Sequence, residues 1–324
     1  MLTYSVAIRT LGTSGWKFRE ELLSITRQTI QPEKVIVYIA KGYPRPDFTV
    51  GREEYVWVKK GMMAQRILPY DEITSDCILM LDDDVRLAPD SAERMLKAME
   101  EHGADCVGAD TFKNHEMSVK AKIYAAVTNL VFPHYSHTWA FKIHRNGSFS
   151  YNNSPVHSFY WSQSCAGPAS LWRKSVYHQL HLKDELWLDE LGFPYGEDVL
   201  SFYKLYRNGF RLGILYDSDV ENLDGGSSSS AFRKSPQRMY IRTKASFIIW
   251  CRTCFHPGNT TAIEQWSAVI GFALKTLWLL FVACGAAVVM RKYSMIPLYL
   301  KGWKDGWSFV HSTVYKNIRN YVLK

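Results

Sequence analysis

The sequence predicts an α/β fold with a mixed, mainly parallel sheet and helices on both faces, followed by a helical, membrane-associated C-terminal region. Three observations carry this expectation. Short β-branched runs alternate with helical stretches over the first 110 residues. One fully apolar run, Cys77 to Leu81, ends in three consecutive acids, Asp82, Asp83 and Asp84. The net charge of +8 is unevenly spread: residues 225–324 hold 14 Lys and Arg against only Glu264 and Asp305, a net of +12, which leaves −4 on residues 1–224.

The elements follow in order. Ser5 to Ile8 is a first strand, closed by Arg9, Thr10 and the turn residues Gly12 and Gly15. Glu20 to Gln28 has helical period, with Leu22, Leu23 and Ile25 on one side. Lys34 to Ile39 and Tyr55 to Val58 are the next β-branched runs, and Met62 to Leu68 is a helix that stops near Pro69. Cys77 to Leu81 is apolar throughout, so it reads as a strand buried on both faces. Pro89 and Asp90 start a helix over Ser91 to Glu101. Between residues 111 and 165 aromatics, Asn and His become frequent. Trp139, Phe141 and Ile143 alternate with polar neighbours, then come Asn146-Gly147, then Phe149 and Tyr151. That pattern predicts a hairpin and an antiparallel insertion.

Residues 223–230 are Gly- and Ser-rich, and linker and active-site lid both remain open for them. A basic helix follows, Ser235 to Cys254. Ile270 to Met290 is apolar except for Lys275, with Arg291 and Lys292 behind it. Its length matches a hydrocarbon core of about 30 Å. A central Lys, however, costs about 2.5–3.5 kcal/mol on insertion. A true span and a helix lying in the interface both stay open. The chain thus divides into 1–224, an α/β domain with halves 1–110 and 111–224, the second carrying the antiparallel insertion; 225–260, a flexible loop and basic helix; and 261–324, membrane-associated helices.

Composition narrows the function. With 47% apolar and 22% charged residues the chain is globular. The basic tail is too apolar for a nucleic-acid arm, so a membrane surface is expected and nucleic acid is not. Six cysteines and no secretory pattern at the start predict free thiols in a reducing setting. Cys251 and Cys254 have no second ligand pair at zinc-finger spacing and read as packing.

The chemistry lies in two acidic groups. Asp82, Asp83 and Asp84 follow a buried strand, where open α/β sheets bind ligands. Adjacent carboxylates repel, and a hard cation, Mn²⁺ or Mg²⁺, relieves that conflict. Asp82 and Asp84 share a side if strand geometry continues. The alternative is a solvated or helix-capping acid run. Glu197 and Asp198 open a helix that ends at Gly209. They either complement the helix dipole or supply a general base.

The ordered set of these pieces resembles glycosyltransferase family 2, the inverting enzymes of the GT-A fold, over residues 4–224. Ser5 to Thr10 resembles its opening strand, Gln28-Thr29 with Pro32 its first turn, Asp82-Asp83-Asp84 its D-x-D motif, Gly167-Pro168-Ala169 before Arg173 its acceptor-facing strand, and Glu197-Asp198 its E-D motif. Tyr240 and Arg242 are similar to a tyrosine–arginine helix of bacterial, surface-polysaccharide members. The resemblance implies a nucleotide-sugar donor and a glycan or lipid-linked acceptor at the cytoplasmic face of the inner membrane. It implies Asp84 and Asp82 as metal ligands, Asp198 as base and Glu197 as its positioning partner. Thr10, Arg66, Lys60 and Asp83 become candidate donor contacts, and Gly167 and Trp161 candidate acceptor contacts. Two departures stand out. Tyr38-Ile39-Ala40-Lys41 occupies the place of a base-binding Asp-Asp-Gly-Ser, and no late His follows. Asn222 and Asp224 are the candidates for the additional metal ligand. A catalytically silent module of the same fold and a metal-dependent nucleotidyl- or phosphotransferase are the competing readings.

Overall fold

The computed structural model describes residues 2–111, 135–192, 195–224, 237–289 and 291–323, together with Val119, Ile123, Ala126 and Val127. In chain order the strands are β1 (Tyr4–Thr10), β2 (Val35–Ala40), β3 (Glu53–Val58), β4 (Cys77–Asp82), β5 (Val85–Leu87) and β6 (Cys106–Ala109). They continue as β7 (Phe141–Ile143), β8 (Phe149–Tyr151), β9 (Phe159–Ser162), β10 (Ala169–Arg173), β11 (Leu212–Leu215) and β12 (Val220–Asn222). The helices are α1 (Trp16–Thr26), α2 (Met62–Arg66), α3 (Ser91–His102), α4 (Lys174–Gln179) and α5 (Glu197–Arg207), then α6 (Gln237–Trp250), α7 (Ala262–Val289), α8 (Met295–Val310) and α9 (Thr313–Lys316).

Eight strands form one sheet in the order β3-β2-β1-β4-β10-β6-β11-β9. β1 to β4 are parallel where they pair. β10 runs antiparallel to both β4 and β6, and β9 runs antiparallel to β11. The sheet is therefore mixed, and the family-like α/β expectation holds. Every residue of β1 and β2 is buried, which is why the runs Val6–Ile8 and Val35–Ala40 are apolar without alternation. Period two still sorts their side chains. Val6, Ile8, Leu79 and Leu81 meet Phe18, Leu22 and Ile25 of α1 and Met95 and Met99 of α3. Ala7, Ile36, Ile78 and Met80 belong to the other layer, with Leu200 and Leu205 of α5 and Phe247 and Ile248 of α6.

The hairpin forms at the Asn-Gly pair. Ile143 pairs with Phe149, residues 144–148 connect the strands, and Gly147 takes the left-handed conformation (φ 68°). The Gly- and Ser-rich segment, residues 225–236, lies outside the described residues. The basic helix appears as α6 and widens into a π-helical turn over Cys251–Phe255. All six cysteines are free thiols.

The C-terminal third is not a separate layer on the catalytic part. Glu185 accepts from Lys204 of α5 (3.0 Å), from Arg252 (2.8 Å) and from Trp187 (2.9 Å), all essentially without solvent access. Burial would raise the Glu185 carboxyl, but Lys204 and Arg252 outweigh it and hold it below its usual range. Tyr321, fully buried, donates its hydroxyl to the Leu200 carbonyl (2.7 Å), while Asn208 donates to the Tyr321 carbonyl and accepts from the Leu323 amide. Residues on both sides of 224 and 260 thus share buried hydrogen bonds. Truncating Tyr321 to Ala should destabilise the protein by about 3–5 kcal/mol, as for other buried aromatics. Urea unfolding of the variant measures it, and a change within 0.5 kcal/mol of zero, the ordinary surface range, contradicts this packing.

Candidate active site

β1 and β4 end side by side, with Arg9 opposite Asp82 in register. The strand stops at Asp82, and the chain turns through Asp83 and Asp84 into β5. The turn replaces the continued strand geometry that would have set Asp82 and Asp84 on one side. Each aspartate instead acquires its own partners.

Asp82 is the acceptor for two guanidinium groups, Arg9 at 2.8 Å and Arg66 at 3.2 Å. Burial raises its carboxyl, and Arg66 and Arg9 together bring it below the usual range. Arg66 also reaches Asp198, the second residue of α5, at 3.3 Å. Asp198 accepts from the Gly167 amide at 3.1 Å, and the Gly167 carbonyl accepts from Arg9 at 2.9 Å. One network therefore ties β1, α2, β4, the turn before β10, and α5. Gly167 is required there by space: a Cβ would collide with Arg66 Nη1 and Asp198 Oδ1. The helix that presents Arg66 is itself capped from afar, since Asp189 accepts from the Met63 (2.9 Å) and Ala64 (3.0 Å) amides.

Asp83 accepts from Thr10, whose hydroxyl in turn accepts from the Gly12 amide. Asp84 is different. Its Oδ1 is buried and has no hydrogen-bond partner. Burial, followed by the charges of Asp82, Asp83 and Asp224, raises its carboxyl to about 7. The β12–β5 ladder sets Asn222 opposite Val85, and the Leu223 amide donates to the Asp84 carbonyl at 2.7 Å. Asn222 and Asp224 therefore flank Asp84, with Asp224 ion-paired to Lys17. Glu21 of α1 is fully buried nearby with both oxygens unpartnered, and burial followed by Asp83, Asp84 and Asp82 pushes it well up. Among the described residues no three acid, His or Cys side chains are grouped to hold a metal. Asp84 nonetheless fits one, since Mg²⁺-type sites often use one or two carboxylates and complete the shell with substrate phosphates and water.

Glu197 and Asp198 sit in the first turn of α5, behind Gly196 in the left-handed region (φ 86°). Burial, and then the Asp198 charge, raises Glu197 to about 7. Burial raises Asp198 too, against the pull of Arg66. The remaining candidates lie apart. Lys60 donates to the Tyr43 hydroxyl at 2.6 Å. Trp161 is in the outer strand β9, packed against Phe159 and His102 and covered by Arg211 at 4.2 Å, so its ring is used in packing rather than at the carboxylates. Sequence reasoning missed Arg9, Asp189 and Glu21. Arg9 left a signal, as a cation at the end of an apolar strand; Asp189 left none.

Residues 56–156 match the family model Glycosyl transferase family 2. By that match, residues 56–156 are similar to family 2 glycosyltransferases. The fold is likewise that of known glycosyltransferases. The crystal structure of S. aureus TarS is similar over 97% of this chain and 50% of that one, with TM-score 0.54 and 13% identity. TarS 1-349 in complex with UDP-GlcNAc is similar over 97% of this chain and 83% of that one, with TM-score 0.54 and 15% identity. A mannosyltransferase, PcManGT from Pyrobaculum calidifontis in complex with GDP-Man and Mn²⁺, covers 96% of this chain at TM-score 0.49 and 12% identity. The chain spans about half the length of full TarS. No curated protein sequence matches it.

Asp84 is raised by burial and like charge, so its ionised form costs stability above its unfolded pKa of about 3.9. Asp84→Asn should therefore stabilise the metal-free protein at pH 8 by about 1–2 kcal/mol, allowing for partial water access. The gain should disappear by pH 4, where the carboxyl is already neutral in the fold. Melting in EDTA at both pH values measures this, and a variant less stable at pH 8 contradicts it.

Proposed function

We propose that this protein is a metal-dependent, inverting glycosyltransferase. It moves a sugar from a nucleotide-sugar donor to a hydroxyl of a glycan or lipid-linked acceptor at the cytoplasmic face of a membrane. The observation that carries this reading is Arg66, whose single guanidinium reaches Asp82 of the acidic loop and Asp198 of α5. It keeps a donor-side and an acceptor-side carboxylate within one hydrogen-bonded network.

Asp84 would hold Mn²⁺ or Mg²⁺, with Asp224 and Asn222 beside it. When bound, the cation supplies positive charge against the leaving diphosphate. Asp198 takes the proton of the acceptor hydroxyl. Arg66 and the Gly167 amide orient its two oxygens and draw its carboxyl down against burial, which leaves it raised and so a stronger base. The hydroxyl oxygen then bonds to the anomeric carbon on the face opposite the breaking bond to the diphosphate, which inverts the centre. Glu197, raised to about 7 by burial and then by the Asp198 charge, titrates beside Asp198. Asp82 carries no free charge, because Arg9 and Arg66 occupy it, so its role is to fix Arg66. The UDP-GlcNAc of the TarS complex makes UDP-sugars the first donors to try.

Nucleotide release from a panel of nucleotide-sugars, with Mn²⁺ and a lipid-linked glycan acceptor, tests this. Asp198→Asn should lower kcat about 10²–10⁴-fold with little change in donor KM. Wild-type kcat should rise with pH and level off above about 7, the Glu197 value. Glu197→Gln removes the group that titrates near 7, so the rise at that pH should be lost. Full activity in Asp198→Asn would overturn the assignment.

A further inference from the structure

α7 has two faces of different character. Its inner face is fastened to the catalytic fold at several points. Glu264 pairs with Arg145 at 2.6 Å, Phe272 stacks on Trp250 with centroids 3.9 Å apart, and the Trp278 indole donates to the Val127 carbonyl at 2.9 Å. Lys275, midway along the helix, donates to the Gly147 carbonyl in the β7–β8 connection. The unfavourable central Lys of the sequence thus turns inward to a protein acceptor. The outer face carries Ile263, Trp266, Ile270, Leu274, Leu277 and Phe281, spaced three or four apart and 54–81% exposed. So long a stripe of exposed, large apolar side chains marks an interaction surface.

Charge identifies what covers it. Arg291 and Lys292 are exposed at the end of α7, and Lys301 and Lys304 are exposed on α8 near Trp307. Basic residues and interfacial aromatics around an apolar stripe match an anionic bilayer. We propose that α7 lies in the plane of an anionic bilayer, with its outer stripe among the acyl chains and these cations at the headgroups. This deepens the membrane-surface part of the proposed function and rests on it.

At 28 residues, or about 42 Å at 1.5 Å per residue, α7 is long enough to cross. Its contacts oppose that. The middle of the helix is bonded to the 144–148 connection, where Asn146 and Ser148 are buried polar residues. A crossing helix would carry that irregular backbone to the bilayer centre, where unpaired polar groups are not tolerated. The in-plane arrangement also relates the bilayer to the chemistry. Trp250 stacks on α7, and its neighbour Ile249 fills the space against Gly196, the residue before Glu197 and Asp198. One helix, α6, therefore separates the bound bilayer surface from the acceptor-side carboxylates, which suits an acceptor presented from that surface.

Full-length protein would be mixed with vesicles of phosphatidylcholine alone or with phosphatidylglycerol added. A fluorophore would be attached through Trp266→Cys, Leu274→Cys or Phe281→Cys, each in a Cys284→Ser background. Lipids spin-labelled near the headgroup or near the chain end report its depth. Binding should require phosphatidylglycerol and weaken with salt, and all three positions should lie at the same shallow depth. Leu274→Glu should bind at least tenfold more weakly with an unchanged melting temperature. A label deepest at residue 274 and shallow at 266 and 281 would overturn the in-plane arrangement while leaving membrane attachment intact. No binding to either vesicle would overturn both. Unchanged binding by Leu274→Glu would overturn the outer stripe as the contact.

Discussion

The site depends on how a small number of buried carboxylates are neutralised. Arg9 and Arg66 converge on Asp82, and Arg66 goes on to Asp198. Buried charges are tolerated when paired and hydrogen-bonded, and breaking such a pair leaves a costly orphan. That condition fixes much else. α2 must present Arg66, so Asp189 caps it from a distant part of the chain. Residue 167 must lack a side chain, because Arg66 and Asp198 fill its place. The acidic loop and the first turn of α5 are thereby held in one frame.

Within the acidic loop the same arithmetic of charge leaves Asp84 unserved. Asp82 has two cations and Asp83 has hydroxyl donors, but one oxygen of Asp84 has no partner at all. The fold therefore stores an electrostatic deficit at Asp84, with the unpartnered carboxyl of Glu21 buried nearby. In the proposed reaction a divalent ion meets that deficit, and a diphosphate completes its shell. A protein that used these acids only to cap a helix would have no reason to leave Asp84 buried and alone.

Much of this was legible from local sequence. A buried strand followed by three acids, and two acids opening a helix, are patterns confined to a few neighbouring residues, and both appear where expected. What was hidden is non-local. Arg66 read as a donor contact, and its bridge between Asp82 and Asp198 follows from a meeting of α2, β4 and α5 that no short window contains. Asp82 and Asp84 looked equivalent until the turn after Asp82 separated their partners. Trp161 was a candidate acceptor contact, and sheet order sets it on the outer strand under Arg211. The fusion of the C-terminal third with the core had no sequence signal, since Tyr321 docks through tertiary hydrogen bonds alone. The central Lys275 looked like a defect in a membrane span, and becomes intelligible once Gly147 is seen as its acceptor.

The central claim is that Asp84 is the residue through which a metal and a nucleoside diphosphate are held. Titration calorimetry of uridine, guanosine, adenosine and cytidine diphosphates into the protein, with and without Mn²⁺, tests it most directly when repeated with Asp84→Ala. Binding of one nucleotide that needs Mn²⁺ and vanishes in Asp84→Ala is the expected result, and it names the donor base. Equal binding by the wild type and Asp84→Ala, or no binding of any nucleotide with Mn²⁺ present, would contradict the claim and favour a silent module of the same fold.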